Sequence, residues 1–179
     1  MTKLQFKYTK RARVNHPGEC HFAQKIVRKA LPYAVEYFKV PWKSLRLTID
    51  VMDGSKDSNK ITLGYAKVEN NEYHIVINCA AVRSEQDYVN TFGHELTHCE
   101  QYFRRRLRYT ERADTVIWEG TRMIVLDCPN DTAYDAYLKT PWEVEARLKA
   151  DKFYDFYKTE RRKTTLMGRL ILWLRLNFI

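Results

Sequence analysis

Hydrophobic residues recur with two different periods in the first third of the chain. Between residues 20 and 40 they recur at nearly helical intervals, at Phe22, Ile26, Ala30, Ala34 and Phe38. This spacing predicts an amphipathic helix. In residues 44–53 the aliphatic residues instead alternate with polar ones from Leu45 to Val51, which is typical of a strand.

Two further segments, 61–69 and 72–79, have the composition and length of strands. Asn70 and Asn71 lie between them and predict the turn of a β-hairpin. The polar stretch GSKDSNK, residues 54–60, predicts a loop ahead of this hairpin. The middle of the chain is therefore expected to form a small mixed or antiparallel sheet.

The helical period returns between Ser84 and Tyr109 and predicts a second helix. Its apolar stripe consists of Phe92, Leu96, Cys99, Phe103 and Leu107. Residues 115–125 are rich in β-branched and apolar side chains and predict a late strand, and residues 140–158 predict a third helix. This order predicts an α+β fold, and the length fits a single domain over residues 1–179.

The second helix carries FGHELTHCEQYF, in which His94 and His98 lie four residues apart. Residues at this spacing stand one above the other on a helix, so the two imidazoles can bind one ion. Glu95 can reach a water on that ion without binding the ion itself, which makes it the candidate catalytic base. Two core histidines satisfied by hydrogen bonds are the alternative, but these two fall on a different face from the apolar stripe. We predict a catalytic zinc (Zn²⁺) site.

A catalytic zinc ion usually takes three protein ligands and leaves one position for water. The other histidines all precede the motif, at His16, His21 and His74. The third ligand is therefore expected to be a carboxylate, and the candidates are Glu143, Glu145 and Glu119.

Glu143 is the favoured candidate, because it shares a helix face with Ala146 and Ala150, whose small side chains allow close approach of another helix. A capping box with Thr140 would explain Glu143 without a metal. Glu145 lies four residues before Lys149, which is typical of a solvent-exposed ion pair.

Glu119 lies 21 residues after His98 and is followed by glycine, a pattern found in some zinc aminopeptidases. The residues around it predict a strand rather than a helix, so it is the second candidate for the third ligand.

The net charge of +9 favours anionic partners, either an acidic protein or nucleic acid. No nucleic-acid-binding motif accompanies this charge, so a solvated basic face is the simpler expectation. The N-terminal residues lack the apolar segment of a signal peptide, and the four cysteines form no C-x-x-C pair. These features predict reduced thiols and a cytoplasmic location.

From about residue 160 the chain becomes a basic, apolar tail that ends in LMGRLILWLRLNFI. Arg169 and Arg175 interrupt this stretch, and it is too short for a transmembrane helix, which needs roughly 20 apolar residues. The tail is expected to pack on the core, and a partner or a membrane surface is the alternative.

The two motifs HELTH and PWEVEA together resemble the zinc peptidases with a glutamate ligand (gluzincins), especially small metallopeptidases encoded by bacteriophages. Those proteins pair an HEL-x-H-x-x-Q-Y helix with a downstream Y-x-x-x-P-W-E-x-E-A segment. The matching residues are His94, Glu95, Leu96, His98, Gln101, Tyr102, Tyr137, Pro141, Trp142, Glu143, Glu145 and Ala146. The resemblance extends from about residue 72 to residue 150.

The resemblance implies a zincin-like fold, a zinc ion bound by His94, His98 and a glutamate, and Glu95 as general base. In related membrane peptidases with an E-x-E-A-D pattern the first glutamate is the ligand, which corresponds to Glu143. Arg147 departs from that pattern, because those relatives place there an aspartate that supports a ligand histidine. The groups that orient the ligands are therefore expected to differ.

The expected function is hydrolysis of peptide bonds in a peptide or protein substrate, in the host cytoplasm if the protein is phage-encoded. The alternative is a catalytically silent protein of the same fold, which binds an acidic protein, nucleic acid or a membrane surface through its basic face.

Overall fold

The computed structural model describes residues 3–40, 44–50, 63–69, 72–110, 115–124 and 131–177. In chain order the elements are β1 (Lys3–Tyr8), α1 (Lys10–Asn15), α2 (Pro17–Phe38), β2 (Ser44–Asp50), β3 (Gly64–Glu69), β4 (Glu72–Asn78), α3 (Glu85–Phe103), β5 (Leu107–Tyr109), β6 (Thr115–Trp118), β7 (Thr121–Ile124), α4 (Asp131–Leu138) and α5 (Pro141–Asn177).

The larger sheet has the strand order β1-β2-β4-β3. The strands β1, β2 and β4 are parallel, and β3 pairs antiparallel with β4. The strands β5, β6 and β7 form a separate antiparallel sheet. This arrangement confirms an α+β fold with a small mixed sheet beside helices. The predicted loop 54–60 and hairpin turn 70–71 lie outside the described residues.

The main core lies where α2, α3 and α5 meet the inner strand β4. From α2 it takes one stripe, Cys20, Ala23, Ile26, Val27, Ala30, Ala34 and Phe38. Phe22, which the helical spacing placed with this stripe, is 38% exposed. The strand β4 contributes Ile75 and Ile77, and α3 contributes the predicted Phe92 and Leu96. The core therefore fixes α3 between the sheet and the other helices.

The helices α3 and α5 approach each other closely at Gly93. A Cβ added to Gly93 would lie 2.8 Å from Cδ1 of Phe153 and 3.4 Å from Cα of Ala150. The close contact depends on the small residues Gly93 and Ala150. The sequence predicted such close packing for the face of α5 that carries Ala146 and Ala150. It brings the first turn of α5 against the segment that carries both histidines.

Replacing Gly93 with alanine is expected to lower the free energy of unfolding by about 1–3 kcal/mol, because the buried ring of Phe153 must shift. The added methyl would otherwise favour the helix by about 1 kcal/mol. Gly18 is the matched control, because a Cβ there meets nothing within 4 Å. Urea unfolding of both variants measures the difference, and equal stability of the two would contradict the close packing.

The second helix is shorter than the sequence predicted, because α3 ends at Phe103 and not near Tyr109. Arg105 adopts a left-handed conformation with φ 58°, which a continuing helix does not allow. The N–H of Arg106 donates to the carbonyl of Gln101 and turns the chain. Leu107 therefore belongs to β5 and not to the apolar stripe of α3. Its side chain is buried in this position as well.

The late strand predicted over residues 115–125 is a hairpin of two strands, β6 and β7. Glu119 and Gly120 join them with φ values of 48° and 87°. Two consecutive positive φ values are typical of a two-residue hairpin turn with the twist of type I′. The strand β1 and the helices α1 and α4 were not predicted.

The tail continues α5 as one helix to Asn177. Every residue from Arg161 to Met167 is exposed, so the expectation that the tail packs on the core is wrong for this part of it. No helix in the described part of the chain is both long enough and apolar enough to cross a membrane.

Candidate metal centre

The helix that carries the histidines begins at a strong N-terminal cap. Ser84 accepts a hydrogen bond from the N–H of Asp87, and the carboxylate of Asp87 accepts one from the N–H of Ser84. This capping box fixes the start of α3. His94 and His98 then lie one turn apart in its second half, with their Nε2 atoms 3.1 Å apart.

Glu143 approaches both imidazoles from the first turn of α5. One of its carboxylate oxygens lies 3.3 Å from Nε2 of His94, and the other lies 3.1 Å from Nε2 of His98. The ligand atoms of the three residues all lie within 4.8 Å of one another. The structure thus brings together the two histidines and the favoured glutamate in a group that could hold a metal ion.

The carboxylate of Glu143 is held in a charged form by its neighbours. Burial raises its pKa, but the contacts with His94 and His98 outweigh burial, and the resulting pKa lies well below the usual range. For His98 the directions are reversed. Burial lowers its pKa, Glu143 and Glu95 raise it, and the net shift is upward. The buried carboxylate of Glu143 therefore favours a positive charge between it and the two imidazoles.

Gln101 orients His98 from behind. Its Nε2 donates to Glu145 at 3.0 Å and to the carbonyl of Trp142 at 3.1 Å. Its Oε1 therefore faces Nδ1 of His98 at 2.9 Å and accepts a hydrogen bond from it. Nε2 of His98 is then the nitrogen that faces Glu143, and once it has lost its proton it can bind a metal ion there. A buried second partner of this kind commonly sets the orientation of a metal-binding histidine.

Replacing Gln101 with leucine is expected to weaken zinc binding by roughly 10–100-fold while the three ligands stay in place. The leucine cannot accept the proton of Nδ1, so His98 loses its fixed tautomer. Competition titration with a zinc-binding dye measures the affinity. Replacing Asn15, at the far end of α1, with leucine is the control, and equal losses in both variants would contradict the role of Gln101.

Glu145 has a different role from the solvent-exposed ion pair that the sequence predicted. It is 3.3 Å from Lys149, as expected, but it also accepts hydrogen bonds from Gln101 and from Arg106. It therefore supports the group that orients His98. This corrects the interpretation of Glu145, which is a supporting carboxylate rather than a solvent-exposed ion pair.

Glu119, the second candidate for the third ligand, lies in the turn between β6 and β7. Its side chain is 53% exposed and pairs with Arg106 at 2.6 Å. Arg106 bridges it to Glu145, so Glu119 belongs to the far end of the same network. It does not belong to the cluster of ligand atoms.

Glu95 is buried next to this cluster, on the side that faces the sheet. It is 4% exposed, and burial raises its pKa although both histidines act to lower it. A Cβ added to Gly64 on β3 would lie 3.2 Å from Oε1 of Glu95. The absence of a side chain at Gly64 therefore lets the edge strand pass directly over this carboxylate.

Tyr137 lies near the end of α4, and its hydroxyl reaches the cluster. Its hydroxyl donates to Oε1 of Glu143 at 2.5 Å. Burial raises the pKa of Tyr137, and the charge of Glu143 raises it further, so the phenol stays protonated and remains a donor.

The cluster opens into a cleft of about 590 Å³ between α3, α5 and the edge strand β3. Tyrosines line much of it, namely Tyr65, Tyr102, Tyr109, Tyr134 and Tyr137. Asn90 lies on the same wall one turn before His94, and its Oδ1 is buried without a hydrogen-bond partner in the described residues. Asn90 precedes His94 by four residues, and this helical spacing could have identified it from the sequence as a residue on the same face.

Comparison with models of known protein families, with curated proteins and with solved structures finds no match to this chain.

Proposed function

We propose that the protein is a zinc-dependent peptidase that hydrolyses peptide bonds in the cleft beside His94, His98 and Glu143. The convergence of two imidazole nitrogens and one carboxylate within 4.8 Å carries this proposal. Two histidines and a glutamate form a ligand set of catalytic zinc, whereas magnesium and calcium take oxygen ligands. A zinc ion bound there supplies Lewis acidity, which polarises a carbonyl and lowers the pKa of water.

Glu95 acts in this proposal as the general base. It takes a proton from the attacking water and delivers it to the amine that leaves. Its position next to His94 in the chain keeps it beside the ion without making it a ligand. Burial raises its pKa toward the range in which a carboxylate can accept and return a proton.

The edge strand β3 supports an extended peptide as the substrate. In the described sheet β4 is an inner strand, and β3 lies at the edge next to it. A peptide added along β3 would lie over Glu95, because Gly64 carries no side chain there. The unpaired Oδ1 of Asn90 would accept a hydrogen bond from a substrate N–H.

Tyr137 is the donor that we assign to the substrate oxyanion. Its phenol is protonated, contacts Glu143 and lines the cleft, so it is a donor available beside the cluster. A hydrogen-bond donor aimed at a developing oxyanion contributes about 10²–10³-fold to the rate in other hydrolases.

Metal analysis and a peptide-cleavage screen test the proposal together. The purified protein should contain about one zinc ion per chain, as expected for a single three-ligand site. It should then generate new amino termini in a mixture of peptides, which mass spectrometry detects. Cleavage should stop when a chelator removes the metal and return when zinc is added. Protein that binds zinc and cuts no peptide would contradict peptidase activity, and protein without zinc affinity would contradict the metal centre as well.

A further inference from the structure

The helix α5 continues past the main core, and its side chains are exposed from Arg161 to Met167. Among the side chains of α5 that the structure describes, which end at Met167, Tyr157 is the last that is buried and Arg161 is the last that contacts α3, through Glu85. The backbone stays helical to Asn177. At 1.5 Å per residue, residues 161–177 form an extension about 25 Å long. We call these residues the C-terminal extension.

Large apolar side chains are exposed where this extension begins. Leu166 is 63% exposed and Met167 is 59% exposed, although both are apolar. Along its sequence the extension has eight large apolar residues, namely Leu166, Met167, Leu170, Ile171, Leu172, Trp173, Leu174 and Leu176. A helix of this composition gains free energy when an apolar medium covers it.

The charge of the extension is of one sign only. It has five basic residues, namely Arg161, Arg162, Lys163, Arg169 and Arg175, and no acidic residue. A second copy of the extension would bring two such sets of positive charge together. Nucleic acid would match the charge but would leave the apolar residues in water. An anionic lipid surface satisfies both properties, since it offers negative head groups and an apolar layer beneath them.

We propose that the C-terminal extension binds the surface of a membrane that contains anionic lipid, and lies in the interface rather than across the bilayer. The basic residues contact the head groups, and the apolar residues enter the boundary with the acyl chains. The protein would then be held at the membrane through α5, which also carries Glu143.

Cosedimentation of the whole protein with lipid vesicles tests this inference. The protein should bind vesicles of phosphatidylcholine that contain phosphatidylserine, and should bind pure phosphatidylcholine vesicles far more weakly. Binding should weaken as salt is raised. Neutralising Arg162 and Arg169 together, each to glutamine, should weaken binding about 30-fold, because each basic residue near an anionic surface strengthens binding about fivefold.

Two further variants separate the extension from the net charge of the protein. Leu166→Gln combined with Met167→Gln keeps every charge and should weaken binding at least about tenfold, because it removes apolar surface. Lys25→Gln combined with Lys29→Gln removes the same charge as the arginine pair but from exposed positions on α2, and should leave binding nearly unchanged. Circular dichroism checks that all variants keep their helical content.

Three results would overturn the inference. The first is the absence of binding to phosphatidylserine vesicles. The second is equal weakening by the lysine and arginine pairs, which would indicate attraction by net charge alone. The third is a dimer in analytical ultracentrifugation that the Leu166 and Met167 changes abolish, without any vesicle binding, which would assign the extension to a second copy of the chain.

Discussion

Replacing Glu95 with glutamine is expected to reduce peptide hydrolysis by roughly 10²–10⁴-fold, the contribution typical of a general base. Glutamine has nearly the same shape but cannot accept the proton of the attacking water. The cluster of His94, His98 and Glu143 does not include Glu95, so the zinc content of the variant should equal that of the unmodified protein. The rate of cleavage of a peptide from the screen, measured with saturating zinc, gives the effect.

Glu36→Gln is the matched control for this experiment, because the same chemical change is made at an exposed carboxylate on α2. It should retain nearly full activity and full zinc content. Equal loss of activity in the two variants, or loss of zinc from Glu95→Gln, would contradict the assignment of Glu95 as a base that does not bind the ion.

Replacing Glu143 with alanine is expected to weaken zinc binding more than about a hundredfold, which exceeds the usual effect of a residue that only supports a ligand. The variant loses the one carboxylate that contacts both imidazoles, and His94 and His98 alone leave the ion with two protein ligands. Peptide hydrolysis should fall below detection at ordinary zinc concentrations, because the ion is absent.

Thermal unfolding with and without zinc measures the loss of zinc binding without relying on activity. A ligand present at 1,000 times its dissociation constant stabilises the folded state by about 4 kcal/mol. Zinc should therefore raise the melting temperature of the unmodified protein and of Glu36→Gln, but not that of Glu143→Ala. A Glu143→Ala protein that keeps its zinc would show that the third ligand lies elsewhere.

The sequence predicted that His94, His98 and Glu143 come together because the signals for their positions are largely local. The spacing of His94 and His98 fixes their common face wherever α3 forms, and the apolar positions of α3 direct the other face into the core. Glu143 lies far along the chain, yet Ala146 and Ala150 already mark the face of α5 that packs closely on another helix. The motif resemblance pointed to the same glutamate.

The rest of the site depends on tertiary contacts that no local pattern encodes. Glu145 has the spacing of a surface ion pair with Lys149, and only the fold brings Gln101 and Arg106 to it. The end of α3 was missed because Arg105 and its neighbours favour a helix, whereas the positive φ of Arg105 turns the chain into β5. The position of β3 at the edge likewise follows from parallel pairing between β2 and β4, which alternation alone does not predict.

Anomalous diffraction at the zinc absorption edge, from crystals of the protein grown with zinc, measures the position of the ion directly. The account predicts one peak per chain, about 2.0–2.2 Å from Nε2 of His94, Nε2 of His98 and a carboxylate oxygen of Glu143. A peak held by other residues, or no peak between these three side chains in crystals that bind zinc elsewhere, would contradict it.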